Sequence, residues 1–190
     1  SVMFFNSYRK FSYSELMSRV CDGDHKAFGE LFDRYQQMLQ SYFHKLLWND
    51  REMAQDFTQE LFTKIIKKPE LFNQQLNFTT WIFTIASNMC KNAYRKKAYE
   101  TAYLEQLPLK NTESKYIEEK IDADKRLAEL DRILEKLDED KRQIFLMRYQ
   151  QDLSIKEIAA ISDCSEGTVK SRLFYIRKHI IDSFEESLIN

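Results

Sequence analysis

The stretch from Leu153 to Ile180, LSIKEIAAISDCSEGTVKSRLFYIRKHI, holds two short amphipathic runs separated by the small and polar SDCS. Advancing about 100° per residue from Val169 puts Val169, Leu173, Ile176 and Ile180 on one face. On the preceding run Ile155, Ile158 and Ala159 can meet that face. Asp163 stands where a tight turn between helices often carries Gly, and Asp tolerates left-handed backbone better than most residues. Ser165 is placed to cap the second helix, with Glu166 near its positive end. The spacing predicts a helix-turn-helix.

The opposite face of the second helix carries Lys170, Ser171, Phe174, Tyr175 and Lys178, with Arg172 at its edge. Two aromatic rings facing solvent on a basic helix are unfavourable unless something covers them. A DNA major groove would cover them: Lys and Arg meet phosphates or guanine edges, and Phe can touch a thymine methyl. The alternative is a solvated charged face with both rings packed on a neighbouring helix. Even on the first reading, the motif alone says only that duplex DNA is bound.

A formal net charge of −1 gives no global positive field, so any case for nucleic acid rests on local patches like this one. Only three Gly and two Pro among 190 residues favour long helices over a many-stranded β fold, whose hairpins need such residues. Cys21, Cys90 and Cys164 are odd in number and scattered, which fits reduced thiols in a cytoplasmic protein rather than a disulfide framework. No stretch approaches about 18 uninterrupted apolar residues, so no membrane insertion is expected. The start, SVMFFNSYRKF, lacks the arrangement of a signal peptide, and residues 1–11 are expected to form a short, loosely ordered tail. Neither internal repeats nor low-complexity segments are visible.

Four helices are expected before residue 98: near Ser12–Cys21; over 22–47, where Asp24 resembles an N-cap and Phe28, Leu31, Phe32 and Tyr35 recur at helical spacing; over 49–68, stopped by Pro69; and roughly Thr79–Lys97. The polar segment 98–116 contains Pro108 and no sustained apolar stripe. Periodicity returns over 126–137 and 138–149. The expected architecture is all-α: two small helical domains, 12–97 and 117–190, joined by a flexible linker over 98–116, the second holding the helix-turn-helix. At about 3.3 Å per residue the linker can reach on the order of 60 Å, letting the two domains act at separate points on one ligand.

The helix in NFTTWIFTIASNMCKNAYRKK (77–97) divides sharply. Ile82, Phe83, Ala86, Met89, Cys90, Ala93 and Tyr94 fill an apolar sector. Trp81, Thr84, Ile85, Asn88, Lys91, Asn92 and Arg95 fill the opposed one, which has no carboxylate. An aromatic to support an unstacked base, amides to read its edge and cations for the backbone suit single-stranded nucleic acid. Alternatively Trp81 is core, and the cations complement the helix's negative end. The preceding helix has contrasting chemistry: Glu52, Asp56, Gln59, Glu60 and Thr63 line one side, and Ala54, Phe57, Leu61 and Ile65 the other. An acidic stripe would repel phosphate. It is either plain soluble surface or a dock for a basic protein partner.

In this order the segments resemble the sigma-70 family of RNA polymerase sigma factors, in its small extracytoplasmic-function group. DREMAQDFTQELF resembles region 2.2, FTTWIFTIASNMCKNAYRKK regions 2.3 and 2.4, and LDEDKRQIFLMRY with the opening stretch region 4. The resemblance covers nearly the whole chain beyond the first ten or so residues. It implies that Asp56, Gln59 and Glu60 contact the clamp helices of the largest subunit of core RNA polymerase. Asn88, with Trp81 nearby, would sit beside a loop over 71–79 that helps capture a flipped base of the minus-ten element, and Thr84, Lys91, Asn92 and Arg95 would continue that surface. Thr168, Lys170, Ser171, Arg172, Phe174, Tyr175 and Lys178 would face the minus-thirty-five duplex. Ser162-Asp163 replaces the commoner Leu-Gly at the turn, and the loop 71–79 is unlike common versions. The resemblance also implies an anti-sigma protein as a partner beside polymerase and promoter DNA.

The mechanism that follows divides the work. The second domain fixes register on duplex DNA, while the first, held on polymerase, recovers the cost of unstacking a base through pocket contacts. The linker spans a gap of more than one helical turn, roughly 35 Å. Two rivals stay open: a helix-turn-helix regulator, which needs neither the acidic stripe nor the Trp81–Asn88 surface, and a helical adaptor using its aromatic faces on partner helices. No catalytic residue, cofactor or metal is expected: GxxxxGK[ST], HExxH and GxSxG are missing, and Cys21 with His25 makes too small a ligand set.

Overall fold

Ser12, Asp24, Asp50, Asp138 and Ser154 each place a side-chain oxygen on a backbone N–H two or three residues ahead, at 2.9–3.3 Å, and each opens an α-helix. Such capping satisfies donors that the first turn of a helix leaves orphaned. The computed structural model describes residues 5–72, 77–104 and 122–189. A 3-10 helix over Phe5–Lys10 precedes α1 (Tyr13–Cys21), α2 (His25–Leu46), α3 (Arg51–Lys67), a second 3-10 turn (Pro69–Leu71), and α4 (Phe78–Leu104). Then come α5 (Asp122–Glu135), α6 (Glu139–Tyr149), α7 (Ile155–Ile161) and α8 (Glu166–Ile189). Among the described residues there is no strand, as the scarcity of turn residues predicts, and no helix long and apolar enough to cross a membrane.

The first four α-helices close around an aromatic centre. Tyr35, Tyr42, Phe43 and Phe83 are fully buried, and Tyr42 meets Phe83 edge-on at 5.3 Å. The α2–α3 turn passes through Trp48 and Asn49, both left-handed at φ 56° and 57°. That conformation is unfavourable for a bulky residue. It is held by the Trp48 ring, which packs on Tyr94 at 5.2 Å and carries the Lys97 ammonium at 3.7 Å.

Residues 8–11 differ from the loose tail expected from sequence. Arg34 donates to the carbonyls of Tyr8, Arg9 and Phe11, and the Tyr8 hydroxyl donates to Asp24 at 2.8 Å. One guanidinium thereby satisfies three carbonyls of an otherwise polar segment. The fourth helix also overruns its expected end, continuing from Ala98 to Leu104 into the stretch read as linker. Ala98, Ala102 and the Lys96–Glu100 pair favour helix without any apolar stripe. Positions 105–116 of the expected linker lie outside the described residues.

The second helical block packs directly on the first rather than standing apart from it. One contiguous apolar cluster runs from Leu16 and Phe83 through Leu134, Ile144 and Met147 to Val169 and Leu173. The joint itself is polar at its centre. Gln143, from α6, accepts hydrogen bonds from Tyr42 of α2 and Ser87 of α4 through one buried oxygen, and its amide donates to Glu139. Lys45 pairs with Asp131 at 2.7 Å, and Lys91 with Asp140 at 3.4 Å.

Candidate nucleic-acid and protein interfaces

Asp163 takes the left-handed conformation at φ 51°, and the Cys164 N–H donates to Ala159, closing a short turn between α7 and α8. Ser165 accepts from the Thr168 N–H at 3.0 Å, so it caps α8 as the sequence predicts. Val169, Leu173 and Ile176 are buried and Ile180 is half-buried, which fixes the rotation of α8. That rotation turns Lys170, Ser171 and Lys178 outward and leaves Phe174 and Tyr175 at 55% and 62% exposure. The two rings meet edge-on at 5.4 Å and are not packed away on a neighbouring helix.

Two members of this face are partly engaged within the protein. The Thr168 hydroxyl is 2.9 Å from that of Ser165. Arg172 is half-buried near Asp138. Burial pushes the Asp138 carboxyl up, but the hydrogen bonds and charge of Lys141, together with the charge of Arg172, outweigh it and hold it below its ordinary value. Ser165→Ala removes the cap and frees Thr168. It is expected to cost about 1 kcal/mol of stability, read by thermal denaturation under circular dichroism.

On α4 the expected division holds on the apolar side: Ile82, Phe83, Ala86, Met89 and Cys90 are buried. Burial also pushes the Cys90 thiol up, away from reactivity. The opposed sector is less uniform than the wheel predicts. Asn88, Asn92 and Arg95 are exposed, but Trp81 is half-buried in a cluster with Phe72 at 5.1 Å and Phe78 at 5.8 Å. The Thr84 hydroxyl donates to the Thr80 carbonyl, and Lys91 is taken by Asp140. Trp81, Asn88, Phe174 and Tyr175 are not buried together in one core. Positions 73–76 of the expected base-capture loop lie outside the described residues.

Along α3, Glu52, Asp56, Gln59, Glu60 and Thr63 are all exposed, while Ala54, Leu61 and Ile65 are buried and Phe57 is half-buried. Glu60 pairs with Lys64 one turn on, at 2.7 Å. The carboxylate ridge is thus a real surface feature, on a different helix from either cationic face. Among the described residues no three His, Cys, Asp or Glu side chains converge on a metal position, and Cys21 and Cys164 are free thiols like Cys90. Sequence reasoning missed the Gln143 network. It also missed two exposed tyrosines, Tyr99 and Tyr103, whose spacing of four was the available signal.

The profile of sigma-70 region 2 matches residues 31–99, and that of sigma-70, region 4 matches residues 127–180. The chain is 33% identical over 174 residues to the ECF RNA polymerase sigma-E factor of Escherichia coli K12, covering 87% of this chain and 90% of the relative. It is 32% identical to that of Haemophilus influenzae, covering 87% and 91%. In three dimensions it resembles CnrH, solved in complex with the cytosolic domain of CnrY, at a TM-score of 0.69 and 20% identity, over 91% of this chain and 97% of CnrH. It also resembles the sigma factor RpoE of Bartonella quintana, solved with the anti-sigma factor NepR, at 0.67 and 22%, over 84% and 98%. At those identities the two structures establish the fold. With both regions present in order, and full-length relatives above 30% identity, the chain belongs to the extracytoplasmic-function group of the sigma-70 family and is a factor of transcription initiation.

Proposed function

We propose that three surfaces divide the work of this sigma factor. Asp56, Gln59 and Glu60 on α3 hold core RNA polymerase. Trp81, Thr84, Asn88, Lys91, Asn92 and Arg95 on α4 take the opened strand at the minus-ten element. Thr168, Lys170, Ser171, Arg172, Phe174, Tyr175 and Lys178 on α8 dock on the minus-thirty-five duplex. The domains assigned are 12–97 and 117–190, and the place of action is the cytoplasm, where polymerase is. The protein contributes binding and positioning and no bond-making chemistry of its own.

The observation that carries this reading is the segregation of charge by helix: an exposed carboxylate ridge on α3, and cations interleaved with exposed amides and rings on α4 and α8. Phosphate is attracted by the latter and repelled by the former, so one molecule can face protein and DNA at once. Relatives solved with CnrY and with NepR support an anti-sigma protein as a further partner. Such a partner would compete for these same surfaces.

Run-off transcription with core polymerase and a panel of genomic promoters tests the proposal. Specific initiation is expected only when this protein is added, with little duplex affinity for the chain alone. Tight binding to an operator without polymerase, and no run-off product, would favour a plain regulator. Loss of both DNA and polymerase binding would favour an adaptor.

A further inference from the structure

A groove of about 630 Å³ runs along the first half of α2 and is bordered by Tyr8 of the first 3-10 helix. His25, Gly29 and Asp33 follow one another at intervals of one helical turn and form a row along it, about 12 Å from end to end. Phe28 and Phe32 flank the row, and both are half-buried. Their rings are backed by buried Phe62, at 5.9 and 4.8 Å. The size and the aromatic lining are those of a small-molecule site, about 300–1,000 Å³ with a few polar groups at fixed places.

Gly29 is the unusual member of the row. It lies inside a 22-residue helix, where Gly is less stable than Ala. Packing within the chain does not call for it, because a Cβ at that position would meet nothing within 4 Å among the described residues. What the missing side chain provides is bare backbone in the middle of the groove, over which a guest can lie close to α2. Charge is divided along the same row. His25 and Lys26 stand at its N-terminal end, and Glu30 and Asp33 further on. Glu30 is paired with Arg34 at 2.7 Å, and three backbone carbonyls hold that guanidinium in place. Asp33 is exposed and has neither a hydrogen bond nor an ion pair among the described residues.

We propose that this groove binds a small amine with an extended apolar body, its ammonium group at Asp33 and its hydrocarbon laid over Gly29 beside Phe28, Phe32 and Tyr8. Aromatic rings attract a cation, and an unpaired carboxylate adds to that attraction. The hydrocarbon covers ring surface that water otherwise wets. Lys26 disfavours a cation at the N-terminal end, and Asp33 disfavours an anion at the other, so the two ends together fix the direction of the guest. The Tyr8 hydroxyl is engaged by Asp24 at 2.8 Å, which leaves its ring as the part offered to the groove. A bound guest would touch both the 3-10 helix and α2, and so raise the melting temperature of the folded chain.

The test titrates the whole 190-residue chain at low salt with octylammonium, octanol and octanoate, three probes of one length and different head charge. Octylammonium is expected to bind saturably with a dissociation constant below about 1 mM, read by calorimetry. It should move the backbone NMR signals of Phe28, Gly29 and Phe32, and bind about tenfold more tightly than octanoate. Asp33→Asn should weaken octylammonium about threefold to fivefold and leave octanol unchanged. Gly29→Leu puts a side chain into the open space. It should abolish binding of all three probes while the melting temperature without ligand stays level or rises. Octanoate binding as tightly as octylammonium overturns the proposal, as does the absence of saturable binding. Octylammonium bound equally well by folded Gly29→Leu also overturns it, since the probe would then sit elsewhere. Should Gly29→Leu fail to fold, the octanoate comparison and Asp33→Asn still decide.

Discussion

Asp56→Arg is expected to abolish stable association with core RNA polymerase while the helical circular dichroism signal stays as it is. Asp56 lies mid-ridge on α3, exposed, on the side opposite buried Ala54, Leu61 and Ile65. The substitution therefore touches no core contact, and Arg is a good helix former, so stability should shift by less than about 0.5 kcal/mol. Its effect falls on docking. Reversing a charge against a basic partner surface removes one attraction and adds one repulsion, and misplaced interface charges cost about 2–5 kcal/mol. That corresponds to a loss of roughly thirtyfold to several-thousandfold in affinity. Glu60 is a weaker lever because it already shares its charge with Lys64. Co-elution of the variant with polymerase at the original affinity, the fold intact, would remove α3 as the docking ridge.

Legibility from sequence followed the range of the interactions involved. The helix-turn-helix was readable because its determinants are local: Ser154 and Ser165 cap their own helices, Asp163 makes its own turn, and Val169, Leu173 and Ile176 share a face. The acidic ridge was readable because roughly half a helical turn separates it from buried Ala54 and Leu61 on the same helix. The overrun of α4 escaped because periodicity detects helices through their buried residues, and none of Arg95 to Tyr103 is buried. The ordering of residues 8–11 escaped because its cause, Arg34, lies 23 to 26 positions away. Trp81 was placed on the outward sector by angle alone, and the wheel could not anticipate Phe72 leaning over it. The joint between the blocks was the least legible feature. Its central hydrogen bonds link residues 101 and 56 positions apart, and nothing in a linear reading pairs Gln143 with Tyr42 or Ser87.

That joint supplies the second large effect. Gln143→Leu keeps the volume of the side chain and removes the oxygen on which the Tyr42 and Ser87 hydroxyls converge. Each buried hydroxyl left without its acceptor costs about 1–3 kcal/mol, so a combined loss of about 2–6 kcal/mol is expected. Because the hydroxyls belong to the first block and Gln143 to the second, the loss falls on their association. Chemical denaturation should show an early step, absent from the original protein, in which the second block separates before the first unfolds. Adding Tyr42→Phe and Ser87→Ala to Gln143→Leu removes the stranded hydroxyls, and most of the loss should be regained. The joint is poised for separation: beside the apolar contacts it holds half-buried ion pairs, a buried Arg142 Nε with no hydrogen-bond partner among the described residues, and Glu139, whose carboxyl burial pushes up despite Gln143 and nearby cations. A carboxyl raised in the folded state contributes most below its ordinary value, so the joint should tighten as pH falls through that range and loosen as Glu139 ionises. Separation also releases Lys91 from Asp140 and returns it to the α4 surface beside Asn88 and Asn92. Gln143→Leu should therefore lose stability and gain affinity for single-stranded DNA in the free chain. If it loses neither stability nor the single unfolding step, the two blocks are not held together through Gln143.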